Sequence, residues 1–442
     1  MKHEKILVRN AETVTMDPAL GDIAACDILI EDGAFRRIGP GIAPGDVDRV
    51  IDATGMIALP GLIDAHNCMW QTVLRGHVPD LWRGTYFTHL LPLRSRFRPE
   101  DNHHSGYVGG SEMLSYGTTT VVDYCHNVRG PGYADAAIEG LQAAGIRHVF
   151  TWSFMSERPD AFADDAARFA DARRVFERFH DPGGTTTVNF GIESVGAAGL
   201  GAQLSFARAL GVGSCIHANS PGDIAWLHER GLPGPDLLAI HGNLITDQEL
   251  AWMREVDMPI CFTPSADVQG TPADVVRRAW EQGVRVVFGC DVPCHVASDP
   301  MAQLRTIHAV QGYIDGATAR ARGPVTGRRP PVGPGMPLLL PRELLRRATI
   351  GAAGVLGMDA RIGSITVGKR ADLLLVRKGL FGGSVEPDPC AHVLLQTSPR
   401  EIDTVLVDGI VRMREGRLAD FDSERAAAMI DASRRVILGT AD

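Results

Sequence analysis

No apolar run in this chain approaches the ~20 residues needed to span a bilayer, so a membrane-spanning role is not expected. There is no basic stripe and no basic run interleaved with aromatics, and the net charge is -9. Nucleic acid is therefore not an expected partner. The segment Met1 to Arg9 lacks the long apolar core of a signal peptide. The eight cysteines (Cys26, Cys68, Cys125, Cys215, Cys261, Cys290, Cys294 and Cys390) are scattered without the spacing of a disulfide framework. A reducing, cytoplasmic setting is the expectation. Lysine is scarce: Lys2, Lys5, Lys369 and Lys378 are the only ones, and arginine carries nearly all the positive charge.

What is present suits one large unit and a smaller one. A chain of 442 residues exceeds one small core but accommodates a barrel plus a minor domain. Its first part alternates short β-type runs (Ile6-Leu7-Val8, Asp27-Ile28-Leu29-Ile30, Arg36-Arg37-Ile38) with turns, including the hairpin signal Glu31-Asp32-Gly33. The C-terminal part does the same. There 362–365, 371–376 and 405–411 read as strands, the last with a hairpin. Two β-rich ends around a long centre predict one composite β-sandwich domain built from both termini, 1–56 and 362–442, the latter ending in a helix.

The centre, 57–361, alternates strand-like and helix-like segments, the signature of parallel β/α units. Strands are predicted at 56–64, 118–124, 147–154, 186–192, 213–217, 237–241, 259–263 and 285–291. Helices are predicted at 133–144, 161–179, 246–256 and 273–282. Eight such units make a (β/α)8 TIM barrel. Two segments read as long loops, 69–99 and 312–341. The first carries Trp70, Trp82, Tyr86, Phe87 and His89 and is placed to wall a pocket, since barrel sites are built from the loops that follow strands.

The chemistry gathers at predicted strand ends. In Leu59-Pro60-Gly61-Leu62-Ile63-Asp64-Ala65-His66-Asn67-Cys68, the two-residue period of a strand sends His66 and Cys68 to one face. The second strand ends in Asp123, Cys125 and His126, the fifth in His217, the sixth in His241 and the eighth in Asp291. Histidine, cysteine and aspartate converging on one mouth have the donor chemistry of a metal site. Each also has a structural alternative: Cys68 as a small buried hydrophobe, His217 and His241 as satisfied structural histidines, Asp291 as a helix cap. Trp70, Gln71 and Trp82 are candidates to stack on and hydrogen-bond a flat ring. His126 and the Cys294-His295 pair either line the pocket or are ordinary loop residues.

Several motifs carry a resemblance. They are the Pro-Gly-Leu-Ile-Asp-Ala-His segment, Gly117-Thr118-Thr119-Thr120-Val121-Val122-Asp123, Leu238-Ala239-Ile240-His241-Gly242-Asn243 and Gly289-Cys290-Asp291. To these is added Gly363-Ser364-Ile365-Thr366-Val367-Gly368-Lys369-Arg370-Ala371-Asp372. Over nearly the whole chain they resemble the amidohydrolase superfamily, and most closely its ring-deaminating and triazine-hydrolase branch, where a glutamine stands at the position of Gln71. The resemblance implies one zinc or iron ion held by His66, Cys68, His217 and Asp291. It also implies that His241 polarises the substrate or stabilises a developing oxyanion, and that Asp291 takes a proton from the attacking water. It further implies a homo-oligomer. Binuclear relatives bridge two metals with a carboxylated barrel lysine. No lysine lies between Lys5 and Lys369, which excludes that class and leaves a mononuclear site or none.

Two departures stand out. Cys68 occupies the position of the second histidine of the family's His-x-His, and its thiolate beside ionised Asp291 would leave a bound dication a weaker Lewis acid. Ser220 stands where many deaminases of the family have a proton-shuttling glutamate, and serine is no general acid-base near neutral pH. Glu193, at the fourth strand end, is a candidate substitute. The expected function is a mononuclear metal-dependent hydrolase acting on a C–N bond of a small nitrogen heterocycle. Two alternatives remain. One is a metal-independent lyase, cyclase or isomerase using the same His, Cys and Asp residues, with Cys68 as nucleophile if a neighbouring histidine lowers its pKa. The other is an inactive ligand-binding barrel.

Overall fold

The computed structural model describes residues 3–81, 86–155, 161–269, 274–321, 339–379, 382–383 and 386–439. Eight strands form the expected barrel: β1 (Leu62–Asn67), β2 (Thr118–Cys125), β3 (Arg147–Ser153), β4 (Thr186–Gly191), β5 (Ser214–Ala218), β6 (Leu237–His241), β7 (Ile260–Phe262) and β8 (Val286–Phe288). Each is hydrogen-bonded to the next in sequence order, and all the pairs are parallel. Every residue of β2, β3 and β4 is buried, as in a parallel sheet covered by helices outside and filled by side chains within. The helices at Tyr133–Ala144, Asp165–Phe179, Asp247–Glu255 and Val275–Glu281 lie within the predicted spans. Thr246 and Glu249 cap the third reciprocally.

The barrel closes at the seam between β8 and β1 by a single bridge, Asn67 to Asp291. There Cys68 N donates to the Asp291 carbonyl at 2.7 Å, and Asp291 N to the His66 carbonyl at 3.0 Å. Gly289 permits this approach: a Cβ on it would stand 2.4 Å from the His66 carbonyl oxygen. Three candidate ligands are thereby fixed to the closure itself.

The composite β domain is a nine-stranded sheet with its own apolar core, drawn from both ends of the chain. The strand Met56–Pro60 belongs to it, antiparallel to Leu373–Arg377 and parallel to Ile6–Thr13. The single strand expected at 56–64 is therefore two, divided at Gly61, whose N–H turns to the Asp372 carbonyl. In the hairpin joining Ile402–Val407 to Ile410–Arg414, Asp408 and Gly409 both have positive φ, as a two-residue turn requires.

Two further expectations are corrected. The stretch 362–365 is a turn, because Gly363 has φ +89° and sits against Ile350 and Ala353 where a strand has no room. The loop expected at 312–341 begins as the end of a helix, Pro300–Ala321, and finishes at the start of another, Pro341–Arg347. Within 69–99 the described chain forms short helical turns, at Met69–Leu74 and from Tyr86 to Arg96.

Sheet and barrel are joined by buried Arg147 at the start of β3. It donates to both Asp372 carboxylate oxygens (2.8 and 3.0 Å), to Asp408 (3.1 Å) and to the Gly184 carbonyl (2.7 Å). The aspartate that ends the C-terminal motif is thus an anchor between the two units. No helix among the described residues is long and apolar enough to cross a membrane.

Candidate metal centre

The barrel mouth gathers His66 from β1, His217 from β5 and His241 from β6, with Cys68 just past β1 and Asp291 just past β8. One group comprises His66, Cys68 and Asp291, another His66, His217 and His241; within each, the donor atoms lie within 4.8 Å of one another. His66 Nε2 is 3.3 Å from Asp291 Oδ1. Cys68 Sγ is 3.9 Å from His66 Nε2 and 3.8 Å from Asp291 Oδ1. Bonds of ~2.0–2.3 Å to a tetrahedral ion set donor–donor edges of ~3.3–3.6 Å, so these separations are close to those of a coordination sphere. The donor types, imidazole, thiol and carboxylate, fit a metal ion.

A cavity of about 200 Å³ opens over this cluster. Cys68, His126, His217, His241 and Asp291 contribute polar lining, and Leu81, Tyr86, Phe87, Leu91, Met155 and Val292 contribute apolar wall. Tyr124 packs edge-on against His217 at 4.5 Å and fixes its ring.

Burial, reinforced by Asp291, pushes the Cys68 thiol well above its ordinary range. Burial also holds His217 and His126 well below theirs, so both stay neutral at pH 7. For Asp291 burial works against ionisation, but the hydrogen bond from His66 and the charge of His241 outweigh it and keep the carboxyl below the usual value. Burial opposes the imidazolium of His241, yet Asp267, 2.9 Å from its Nδ1, lifts that histidine to about 9. His241 and Asp291 also have positive φ (70° and 66°), a conformation non-glycine residues rarely adopt and one that concentrates at functional sites.

The other predicted residues divide. His126 lines the cavity. Trp70 and Gln71 do not: both are buried, Trp70 packing against Phe97 and His126, Gln71 bonded to Tyr86 and Cys294. Their loop turns into helix directly after Cys68, which carries these side chains behind the wall. His295 is bound to the Val78 carbonyl and to Gln269, outside the lining. Trp82 lies outside the described residues. Asp123 is not among the lining residues and accepts the Met69 N–H at 3.1 Å, and burial raises its carboxyl to about 7. Glu193 is tied to Gln203 and lines no part of the cavity, and Ser220 is exposed.

The loop expected to wall a pocket does contribute Tyr86 and Phe87 to the lining, while the sequence reading missed Asp267 and Tyr124. Asp267 had one signal, a carboxylate one helical turn beyond the end of β7. Nothing local marks Tyr124, which reads as an ordinary strand aromatic.

The Amidohydrolase family profile matches residues 57–411. A 5-methylthioadenosine/S-adenosylhomocysteine deaminase of Desulforudis audaxviator (strain MP104C) is 28% identical over 98% of this chain and 99% of its own length. A hydroxydechloroatrazine ethylaminohydrolase of Pseudomonas sp. (strain ADP) is 26% identical over 97% of this chain and 95% of its own. Among solved structures, an adenosine deaminase from Xanthomonas campestris with bound zinc superposes with a TM-score of 0.83 at 21% identity, covering 99% of this chain and 100% of its own. With the barrel, the metal-binding geometry at its mouth and a family match over most of its length, the chain belongs to the amidohydrolase family.

Proposed function

We propose that this protein is a mononuclear zinc hydrolase that displaces an amino or alkylamino group from a small nitrogen heterocycle. The observation that carries this reading is the separation of the His66, Cys68 and Asp291 donors, each close to an edge of a tetrahedral zinc site. His217 is the fourth protein ligand in this reading, and the thiol among the donors favours zinc over harder ions. Both curated relatives named above act, by their names, on amino-substituted heterocycles.

A zinc ion held there would supply Lewis acidity, lowering the pKa of a water towards neutrality. Asp291, ionised in its buried setting, accepts the proton from the attacking water. His241, held charged by Asp267, donates from Nδ1 to that carboxylate and presents Nε2–H to the cavity, where it hydrogen-bonds the ring as negative charge develops. The apolar wall keeps bulk water from the reacting carbon. The balance is that of hydrolysis: water adds at the ring carbon, the C–N bond breaks, and the amine leaves with a proton.

The metal-free alternative with Cys68 as nucleophile has less support. A reactive thiol needs a lowered pKa, whereas burial and Asp291 raise this one. The test is elemental mass spectrometry on protein purified without chelator, with amine release assayed on 5-methylthioadenosine and on an ethylamino-substituted hydroxytriazine. One zinc per chain and activity lost on chelation are expected. Full activity in metal-free protein would refute the reading.

A further inference from the structure

A chain of buried and part-buried hydrogen bonds runs along the cavity wall to Cys68, and the hydrolytic steps above do not use it. Cys294 Sγ donates to Gln71 Oε1 at 2.9 Å. Gln71 Nε2 donates to Tyr86 Oη at 3.0 Å. Tyr86 Oη lies 3.5 Å from His126 Nε2, and His126 Nδ1 lies 3.7 Å from Cys68 Sγ.

The direction of this chain follows from which groups can donate. A thiol offers an S–H, and an amide oxygen only accepts. Cys294 therefore sets the orientation of the Gln71 amide, oxygen towards itself and NH2 towards Tyr86. The Tyr86 oxygen receives that N–H, so its one proton points to His126 Nε2. A neutral imidazole that accepts at Nε2 carries its proton on Nδ1, and Nδ1 faces the sulfur. The His126 ring is held in this pose by Trp70, edge-on at 5.1 Å, and by Arg94, which donates to the His126 carbonyl.

We propose that Gln71, Tyr86 and His126 are positioning residues for Cys68: their one-way relay sets an N–H donor on the sulfur and holds it as a hydrogen-bonded thiolate ligand. The inference rests on the metal site proposed above. It gives a purpose to the departure at position 68. A thiolate adds a second anion beside Asp291 and weakens the ion as a Lewis acid. A donor on the sulfur withdraws part of that charge, as outer partners of metal ligands generally tune the ligands they touch.

The test uses cobalt(II) as the probe in the full-length protein and reads the thiolate-to-cobalt charge-transfer band. Tyr86→Phe removes one hydroxyl and is expected to move the band to longer wavelength, because a sulfur freed of its hydrogen bond gives up an electron more easily. His126→Leu is expected to move it further and to weaken zinc binding ~10–100-fold. The double variant should match His126→Leu alone, since both changes act through one relay. Variants that bind one cobalt per chain with the band at its original wavelength would overturn the relay while leaving the metal site intact. Absence of any such band in the unaltered protein with cobalt bound would instead show that Cys68 is no ligand, and would overturn both.

Discussion

Replacing Cys68 by histidine should change how metal affinity depends on pH. In the metal-free protein, burial and Asp291 hold the Cys68 thiol well above its ordinary value of 9.0, so it is protonated throughout pH 6–8. It must lose that proton to become a ligand. One proton released on binding makes affinity rise ~10-fold per pH unit, or ~1.4 kcal/mol. An imidazole in the same place would sit among buried histidines like His126 and His217, both held neutral by burial, and would bind without releasing a proton. The other ligands are common to both proteins, so the difference in slope isolates position 68. Between pH 6 and pH 8 the unaltered protein should gain ~100-fold more zinc affinity than Cys68→His. Competition against a chromophoric chelator at three pH values reads this directly, and calorimetry in buffers of different ionisation enthalpy counts the proton. Parallel slopes, with equal proton release, would refute the assignment of Cys68 as a ligand.

Other outcomes follow from the same geometry. Arg147→Met leaves Asp372 buried without its bidentate partner and should cost ~3–5 kcal/mol in urea denaturation, with Arg147→Lys recovering only part; an unchanged midpoint would contradict the anchoring role. Asp123 has a folded pKa of about 7 against 3.8, so its contribution to stability is fully present below pH 3.8 and is lost as pH rises through 7. Asp123→Asn should therefore gain on the unaltered protein as pH increases, by ~4 kcal/mol at pH 8, and a gap that stays constant from pH 5 to pH 8 would remove the buried-carboxylate account. Gly289→Ala puts a methyl against the His66 backbone and should loosen the barrel seam, lowering both melting temperature and zinc stoichiometry; a variant that retains both would show that the seam does not set the ligand geometry.

Local pattern made much of this protein legible. The strand period places His66 and Cys68 on one face with no knowledge of the fold. Runs such as Thr118 to Cys125 announce buried parallel strands, and Asp408-Gly409 announces a hairpin. These features depend on neighbouring residues, and windows of a few residues contain them. The failures have a shared cause. The break at Gly61 and the turn at Gly363 depend on what packs against those glycines from Thr119, Ile350 and Ala353. Trp70 and Gln71 followed the right strand but turned behind the wall, because the chain becomes helical immediately after Cys68.

The sequence by itself determined the barrel, the residue types at its mouth and the absence of a bridging lysine. Tertiary structure alone decided which polar groups share one desolvated volume. Cys68 and Asp291 are 223 residues apart and meet only because the barrel closes between them. Asp267 reaches His241 across a strand boundary and reverses the effect of burial on its charge. Electrostatics in a water-poor site acts through distance in space, and the register of eight strands sets that distance.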